Sequence, residues 1–411
     1  MVFDWWRKSL FIINGLRSFT QRGYENRKSH FREITPAMAL GKSIIITGAN
    51  SGLGFACARQ LASLGSEIHM VCRNKERGEA ARQKIIDGLD EPPQIHLHIV
   101  DVSRPREIFK FAENFAKQGH RVHVLINNAG VLLPERATTQ DGLDATFATN
   151  ILGSFLMGQL FSPLLQESAE KAASERNAAP AAASSSAAAS SSTTPSFRSR
   201  VINVSSGGMY TQRLKLNDMQ FEQMQEWDGA KAYSQTKRQQ VCLAEFMANQ
   251  DDPKYPLIDW YSYHPGWSDT PGVQSSLPDF YESMKDSLRT EEEGADTLIW
   301  LAVSDELEDG QHSGSFFEDR RPVTKHFFSA GTSGGCSAQT HQQLYQRLLE
   351  FQEQFSSDNN QGEIDQSGSD DTNQSGNDDQ SGNADQSSSD DNQSNNDDNN
   401  QSSSDTNQSG N

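Results

Sequence analysis

The sequence predicts an α/β fold with one doubly wound, mainly parallel sheet, and three observations carry that expectation. Six short apolar runs, 43-SIIIT-47, 67-EIHMVC-72, 95-IHLHIV-100, 122-VHVLIN-127, 200-RVINVS-205 and 258-IDWYSY-263, alternate with helix-like stretches. Runs of that length, rich in β-branched residues and separated by helices, read as strands of a parallel sheet. The first run meets three glycines, Gly48, Gly52 and Gly54, and then the helical stretch 55-FACARQLASLG-65, which is the strand, turn and helix order of a nucleotide-binding unit. In such sheets the ligand crevice lies at the carboxyl ends of the strands, so residues just after each run are the candidates for function.

The chain opens with 1-MVFDWWRKSLFIINGLRSFTQRGY-24, where Trp6, Leu10, Ile13 and Leu16 recur at helical spacing, and residues 1–34 carry seven Lys/Arg against three acids. A basic amphipathic helix with tryptophans suits a membrane surface, the body of the protein or a second copy of the chain. No run reaches the roughly eighteen consecutive apolar residues of a spanning helix, and no secretory signal is visible.

The glycine turn has the spacing G-x-x-x-G-x-G, with Asn50, Ser51 and Leu53 between the glycines. Three glycines in seven residues permit a tight turn, close backbone approach to a pyrophosphate and close packing of the helix on the strand. The second run ends at Arg73, where an acid would favour the free ribose of NAD. A guanidinium there suits a 2′-phosphate, so NADP(H) is favoured over NAD(H).

Two segments stand apart in composition. The stretch 167-ESAEKAASERNAAPAAASSSAAASSSTTPS-196 reads as a flexible surface insertion. After Phe355 the chain is almost wholly Asp, Asn, Gln, Ser and Gly, with thirteen acids and no Lys or Arg. That tail cannot bury enough apolar surface to offset its chain entropy and is expected to be disordered. It supplies thirteen of the nineteen net negative charges, so the acidity describes the tail, and no nucleic-acid partner is expected. The four cysteines, Cys57, Cys72, Cys242 and Cys336, fall singly without metal-ligand spacing. They suit reduced thiols of an intracellular, cytoplasmic protein, and no metal is expected.

The strings 47-TGANSGLG-54, 101-DVS-103, 127-NNAG-130, 203-NVSS-206, 233-YSQTK-237 and 265-PG-266 stand in the order of the short-chain dehydrogenase/reductase family, which this chain resembles over roughly residues 40–330. Longer strings, 204-VSSGGMY-210, 264-HPGWSDTPGV-273 and 294-GADTLIW-300 among them, resemble one branch of it. The resemblance implies a Rossmann-like single catalytic domain over 41–330, holding the insertion 167–199. An extension over 1–40, a helix over 331–355 and the tail 356–411 flank it.

The chemistry implied is reversible hydride transfer between nicotinamide and a carbonyl or secondary alcohol, with the cofactor supplying the hydride. Tyr233 and Lys237 are four residues apart and so neighbours on one helix face. A phenol pKa near ~10 is high for acid–base work at neutral pH, and a nearby ammonium favours the phenolate. Tyr233 is then the proton donor in reduction, and the resemblance adds Lys237 as a holder of the nicotinamide ribose. Ser206 is placed to hydrogen-bond the substrate oxygen, and Asn150 matches the family position that supports a water-linked proton relay. The resemblance assigns Asp101 and Val102 to adenine, Asn128 to the cofactor ribose with Asn127 tying strands together, and Pro265, Gly266 and Thr270 to nicotinamide. His264 reads as a structural strand-end residue.

Ser206 and Tyr233 are 27 residues apart, longer than in shorter members of the family. The extra segment 207–229, with Met209, Tyr210, Leu214, Leu216, Met224 and Trp227, is expected to form an apolar wall near the substrate, together with 271-PGVQSSLPDFYESM-284. The substrate implied is a small carbonyl or alcohol, apolar and lipid-like or steroid-like. Homo-oligomers are common among the family's relatives, and a catalytically silent nucleotide-binding module is the competing reading.

Overall fold

The six apolar runs become strands β1 (Ser43–Thr47), β2 (Glu67–Cys72), β3 (Ile95–Ile99), β4 (Val124–Asn127), β5 (Ser199–Val204) and β6 (Ile258–Tyr263). The computed structural model describes residues 2–178, 198–250, 253–307, 309–327 and 331–367. Two further strands, β7 (Phe316–Glu318) and β8 (Arg321–Val323), extend the sheet to the order β3-β2-β1-β4-β5-β6-β7-β8. All neighbours are parallel except β8, which returns antiparallel to β7. The direction of strand succession reverses between β1 and β4, which places a ligand crevice at their carboxyl ends.

Side chains alternate across the sheet with the two-residue period of a strand. Ile44 and Ile46 join Ile68, Met70, Val124 and Ile126 in one apolar layer, and Ile45 joins Val71, Leu125 and Val201 in the other. Helix Pro105–Lys117 covers the second layer through Ile108, Phe111, Ala112 and Phe115, all buried and at helical spacing. Helix Glu291–Val303 packs into the first layer and starts with a reciprocal cap. Glu293 N donates to Thr290 Oγ1 (3.2 Å), and Thr290 N donates to Glu293 Oε2 (2.9 Å).

The β7–β8 hairpin was not visible in the sequence. Its turn residues, Asp319 and Arg320, are both left-handed, at φ 49° and 56°, the backbone that a two-residue hairpin requires. Ion pairs hold these non-glycine residues there: Arg320 Nε donates to Asp296 (2.8 Å), and Asp319 accepts from Arg289 (2.7 Å).

The N-terminal extension packs on the body, one of the three dispositions open to it. Helices Val2–Ser18 and Gln21–Lys28 flank Phe19, which is buried with Met209, Val241, Trp267, Leu288 and Phe316. Helix Ser154–Ala178 runs into the expected insertion, whose residues 179–197 lie outside the described residues. The helix expected over 331–355 runs over Ala338–Ser367, so it includes the start of the expected tail, and residues 368–411 lie outside the described residues. Residues 1–363 make one compact unit and 364–411 a second, of which only the helical residues to Ser367 are described. Among the described residues no helix is long and apolar enough to cross a membrane.

Candidate active site

The glycine turn sits at the carboxyl end of β1, and each glycine answers a different demand. Gly48 and Gly52 are left-handed (φ 67° and 58°), and a side chain at Gly54 would strike the Asn128 amide and the Gly48 carbonyl. Ser51 precedes helix Gly52–Ser63 but makes no side-chain cap. The first-turn N–H groups of that helix are therefore available to an anion, and the turn fits a dinucleotide pyrophosphate. The Leu53 side chain packs against Gly294.

Asn128 braces the glycine turn. Its amide nitrogen donates to Thr47 O (2.8 Å) and Gly48 O (3.2 Å), while Thr47 Oγ1 accepts from the Asn128 and Ala129 amides (both 3.0 Å). Turn carbonyls without a ladder partner need donors, so this amide nitrogen braces the turn. Asn127 ties β4 to β5 through Asn203 Oδ1 (3.0 Å).

Tyr233 and Lys237 lie on helix Gly229–Ala248, with the lysine nitrogen 5.4 Å from the tyrosine ring centroid. Lys237 is buried and donates to Val204 O at 2.7 Å, next to the end of β5. Desolvation pushes its ammonium down to about 7. Burial pushes the Tyr233 phenol up to about 12, opposed by its hydrogen bond with Ser206. The neighbouring Ser205 hydroxyl is spent on Lys237 O (2.9 Å), which leaves Ser206 as the hydroxyl facing the phenol.

Asn150 sits in a single wide π-helical turn, Ala148–Gly153, a distortion frequent at functional sites. Its side chain accepts from Val131 N (2.8 Å) and donates to Val131 O (2.9 Å) and Thr236 Oγ1 (3.1 Å). It thus joins the loop after β4 to the tyrosine helix. Its backbone carbonyl is held by Gln240 Nε2 (2.7 Å) and Ser154 Oγ (2.9 Å).

His264 is structural, as expected, but its task concerns the site. Its Nδ1 accepts from Gly207 N (2.8 Å), fixing the residue after Ser206, and its ring meets Phe19 edge-on at 4.3 Å. Desolvation holds it well below the usual histidine range, so it is neutral.

The loop after β6 rests on a residue that sequence reasoning missed. Arg289 is fully buried and donates to Pro265 O (3.4 Å), Thr20 O (3.3 Å) and Ser18 O (2.6 Å), besides Asp319. Gly266 is left-handed (φ 78°), and a side chain there would strike the guanidinium of Arg289. Thr270 lies across from the glycine turn, 3.6 Å from where a Gly52 side chain would be, and caps the short helix Pro271–Ser276. Arg289 carries no motif signal because its partners are far away in sequence.

At the other end of the crevice, Asp101 and Arg73 face each other at 3.9 Å, and the Arg73 side chain is 73% exposed. Asp101 Oδ1 is occupied by the amide (2.9 Å) and hydroxyl (2.7 Å) of Ser103. Val102 is buried, and its carbonyl lies where a side chain at Gly153 would go. A concavity of about 420 Å³ lined by Arg27, Phe31, Arg32, Trp300 and Arg320 includes none of Ser206, Tyr233, Lys237 or the glycine turn.

Most of the apolar wall expected from 207–229 is drawn into the core. Met209, Tyr210, Leu214 and Leu216 are buried in the core, and Met224 and Trp227 pack partly buried against it. Burial of their area in the body outweighs exposing it to a crevice. Helices Pro271–Ser276 and Pro278–Met284 have no buried residues and remain available to a substrate.

Comparison with known proteins agrees with this arrangement. The short chain dehydrogenase family model matches residues 42–174. The chain is 38% identical over 352 residues to dehydrogenase/reductase SDR family member 12 of Homo sapiens, covering 85% of this chain and 98% of that one. It is 30% identical over 287 residues to retinol dehydrogenase 12 of Bos taurus, covering 69% and 80% of the two chains. Among solved structures, an uncharacterised protein from Mycobacterium paratuberculosis shares the fold at TM-score 0.52 and 23% identity, over 76% of this chain and 97% of that one. The chain therefore belongs to the short-chain dehydrogenase/reductase family, nicotinamide-dependent oxidoreductases that act on CH–OH and carbonyl groups.

Proposed function

We propose that the chain is an NADP(H)-dependent carbonyl reductase, reversible as a secondary-alcohol dehydrogenase, for an apolar, lipid-like substrate met at a membrane surface. The observation that carries the reading is the convergence of the Tyr233 phenol, the Ser206 hydroxyl and the Lys237 ammonium at the ends of β5 and the tyrosine helix.

The glycine turn would hold the pyrophosphate on the free N–H groups of helix Gly52–Ser63, and Pro265, Gly266 and Thr270 would line the nicotinamide end. When bound there, the cofactor supplies the hydride that adds to the carbonyl carbon. Tyr233 Oη keeps its proton at neutral pH, since burial raises its pKa, and delivers it to the substrate oxygen. Ser206 Oγ hydrogen-bonds that same oxygen as negative charge develops. Lys237, in its ammonium form, stabilises the phenolate left behind, and Asn150 keeps the helix and the loop after β4 in register for reprotonation.

Arg73 supports the preference for NADP(H): its exposed guanidinium at the end of β2 suits a 2′-phosphate. The apolar substrate class is supported by the retinol dehydrogenases among the relatives, retinol being an apolar alcohol. Contact with a membrane is supported by helix Val2–Ser18. Among the described residues seven large apolar side chains are exposed, and five of them, Trp5, Trp6, Ile12, Ile13 and Leu16, lie on this helix. Its inner side meets Trp267, next to the nicotinamide loop.

Tyr233→Phe tests the mechanism. Turnover of apolar aldehydes and ketones with NADPH should disappear while NADPH binding, followed by fluorescence, stays near the wild-type value. Retained turnover would remove Tyr233 as proton donor.

A further inference from the structure

Sequence spacing hides one cluster that the fold assembles. Cys242 stands on helix Gly229–Ala248, five residues beyond Lys237. Cys336 belongs to the turn before helix Ala338–Ser367, and His341 lies in the first turn of that helix, its amide donating to Ser337 O at 2.9 Å. The two sulfurs are 3.8 Å apart, and one ligand atom from each of the three residues lies within 4.8 Å of the others.

We propose that Cys242, Cys336 and His341 form a binding site for a zinc-type divalent cation, with solvent as fourth ligand. The sulfur separation is the first support: two thiolates at about 2.3 Å from a tetrahedral zinc stand about 3.8 Å apart. A disulfide would need them near 2.05 Å. The second support is independent of the sulfurs. His341 Nε2 is buried and has no hydrogen-bond partner, in a residue only 6% exposed, and an unpaired buried donor or acceptor is costly unless something occupies it.

The charge balance is also right, since two thiolates offset a dication. Metal binding would displace the thiol protons, so affinity should rise with pH. Cys336 is half-buried, which supplies an entry path and room for solvent at the fourth position.

The other candidate cluster, Glu67, His69 and His96, is already internally satisfied. His69 Nδ1 pairs with His98 (3.0 Å) and its Nε2 with Ser43 (3.1 Å), while His96 Nε2 pairs with Glu67 (3.0 Å). In the cysteine site the ion would clamp the last helix and its preceding turn to the helix that carries Tyr233 and Lys237. Its role is structural, outside the hydride-transfer chemistry.

The test uses the full chain, stripped of metal under reducing conditions and titrated with cobalt(II), whose thiolate charge-transfer absorption reports sulfur ligation directly. One equivalent should bind with that absorption, and zinc should displace it. Cys336→Ser should abolish the absorption, and His341→Gln should weaken binding by at least about tenfold. Cys57→Ser, at a buried cysteine elsewhere, should change nothing. If Cys336→Ser does not fold, as judged by circular dichroism, His341→Gln decides by the same readout. Cobalt binding without thiolate absorption, unchanged binding in the folded variants, or freshly isolated protein lighter by two hydrogens through a Cys242–Cys336 disulfide would each overturn the site.

Discussion

Arg289 and Asp319 are buried together and joined by two hydrogen bonds, of 2.7 and 3.1 Å, between guanidinium and carboxylate. The same carboxylate accepts from Arg27 of the N-terminal extension (2.6 Å), and the same guanidinium holds the carbonyls of Ser18, Thr20 and Pro265. One buried pair thus joins the extension, the β7–β8 turn and the loop after β6.

Arg289→Met would leave Asp319 paired with Arg27 but strip the carbonyls of Ser18, Thr20 and Pro265 of this donor, so it should destabilise the chain by about 3 kcal/mol in denaturant unfolding. A weakened Pro265 loop should also raise KM for the cofactor. Deleting residues 1–30 should be worse, since it removes buried Phe19 together with Arg27 and the carbonyls of Ser18 and Thr20. A midpoint within error of wild type for Arg289→Met would show that the pair is not holding these three segments together.

Lys237 yields a prediction about pH. Desolvation lowers its folded-state pKa to about 7, against an ordinary 10.5. Between those values the unfolded chain binds more protons than the folded one, so stability of the cofactor-free protein should rise with pH across that window. Lys237→Met removes this contribution. Its stability relative to wild type should therefore fall by at least about 1 kcal/mol between about pH 6.5 and about pH 9.5. Tyr233, raised to about 12, acts with the opposite sign and only above about pH 10. Parallel stability curves for wild type and variant would contradict the assignment.

The proposed preference for NADP(H) rests on Arg73. Charge-assisted hydrogen bonds are worth about 1.5–3 kcal/mol, so Arg73→Ala should raise KM for NADPH about 10–100-fold and leave NADH nearly unchanged. Equal effects on both cofactors would place the 2′-phosphate elsewhere.

What could be read from the sequence was what its local pattern carries. Strands β1 to β6 were visible because they are continuous apolar runs, and the glycine turn and the Tyr-Lys pair because their chemistry depends on short spacing. Strands β7 and β8 were not, since three residues such as 321-RPV-323 show no period. Arg289, His264 and the cysteine cluster act through partners distant in sequence, where spacing says nothing. The helical period of residues 2–18 is the same whether lipid, a second copy or the body covers it. The buried Phe19 and the contacts of Phe11 and Gly15 with Trp267 distinguish its inner side from its outer one.

That outer side is the basis of the last prediction. Trp5, Trp6, Ile13 and Leu16 are between 41% and 68% exposed and take no part in the core, so replacing all four with serine should leave folding intact. Burying one such side chain is worth about 1.5–3 kcal/mol, so partial insertion of four is ample for reversible membrane binding. The exposed basic residues Lys8, Arg17 and Arg22 lie on or beside the helix and complement an anionic surface. Wild type should float with vesicles containing phosphatidylserine and be released partly by salt, as screening weakens the basic contribution. The serine variant should lose vesicle binding by at least about tenfold, keep turnover of a water-soluble carbonyl and lose turnover of an apolar one presented in vesicles. Unchanged flotation of the variant would mean that the apolar face of this helix does not meet lipid.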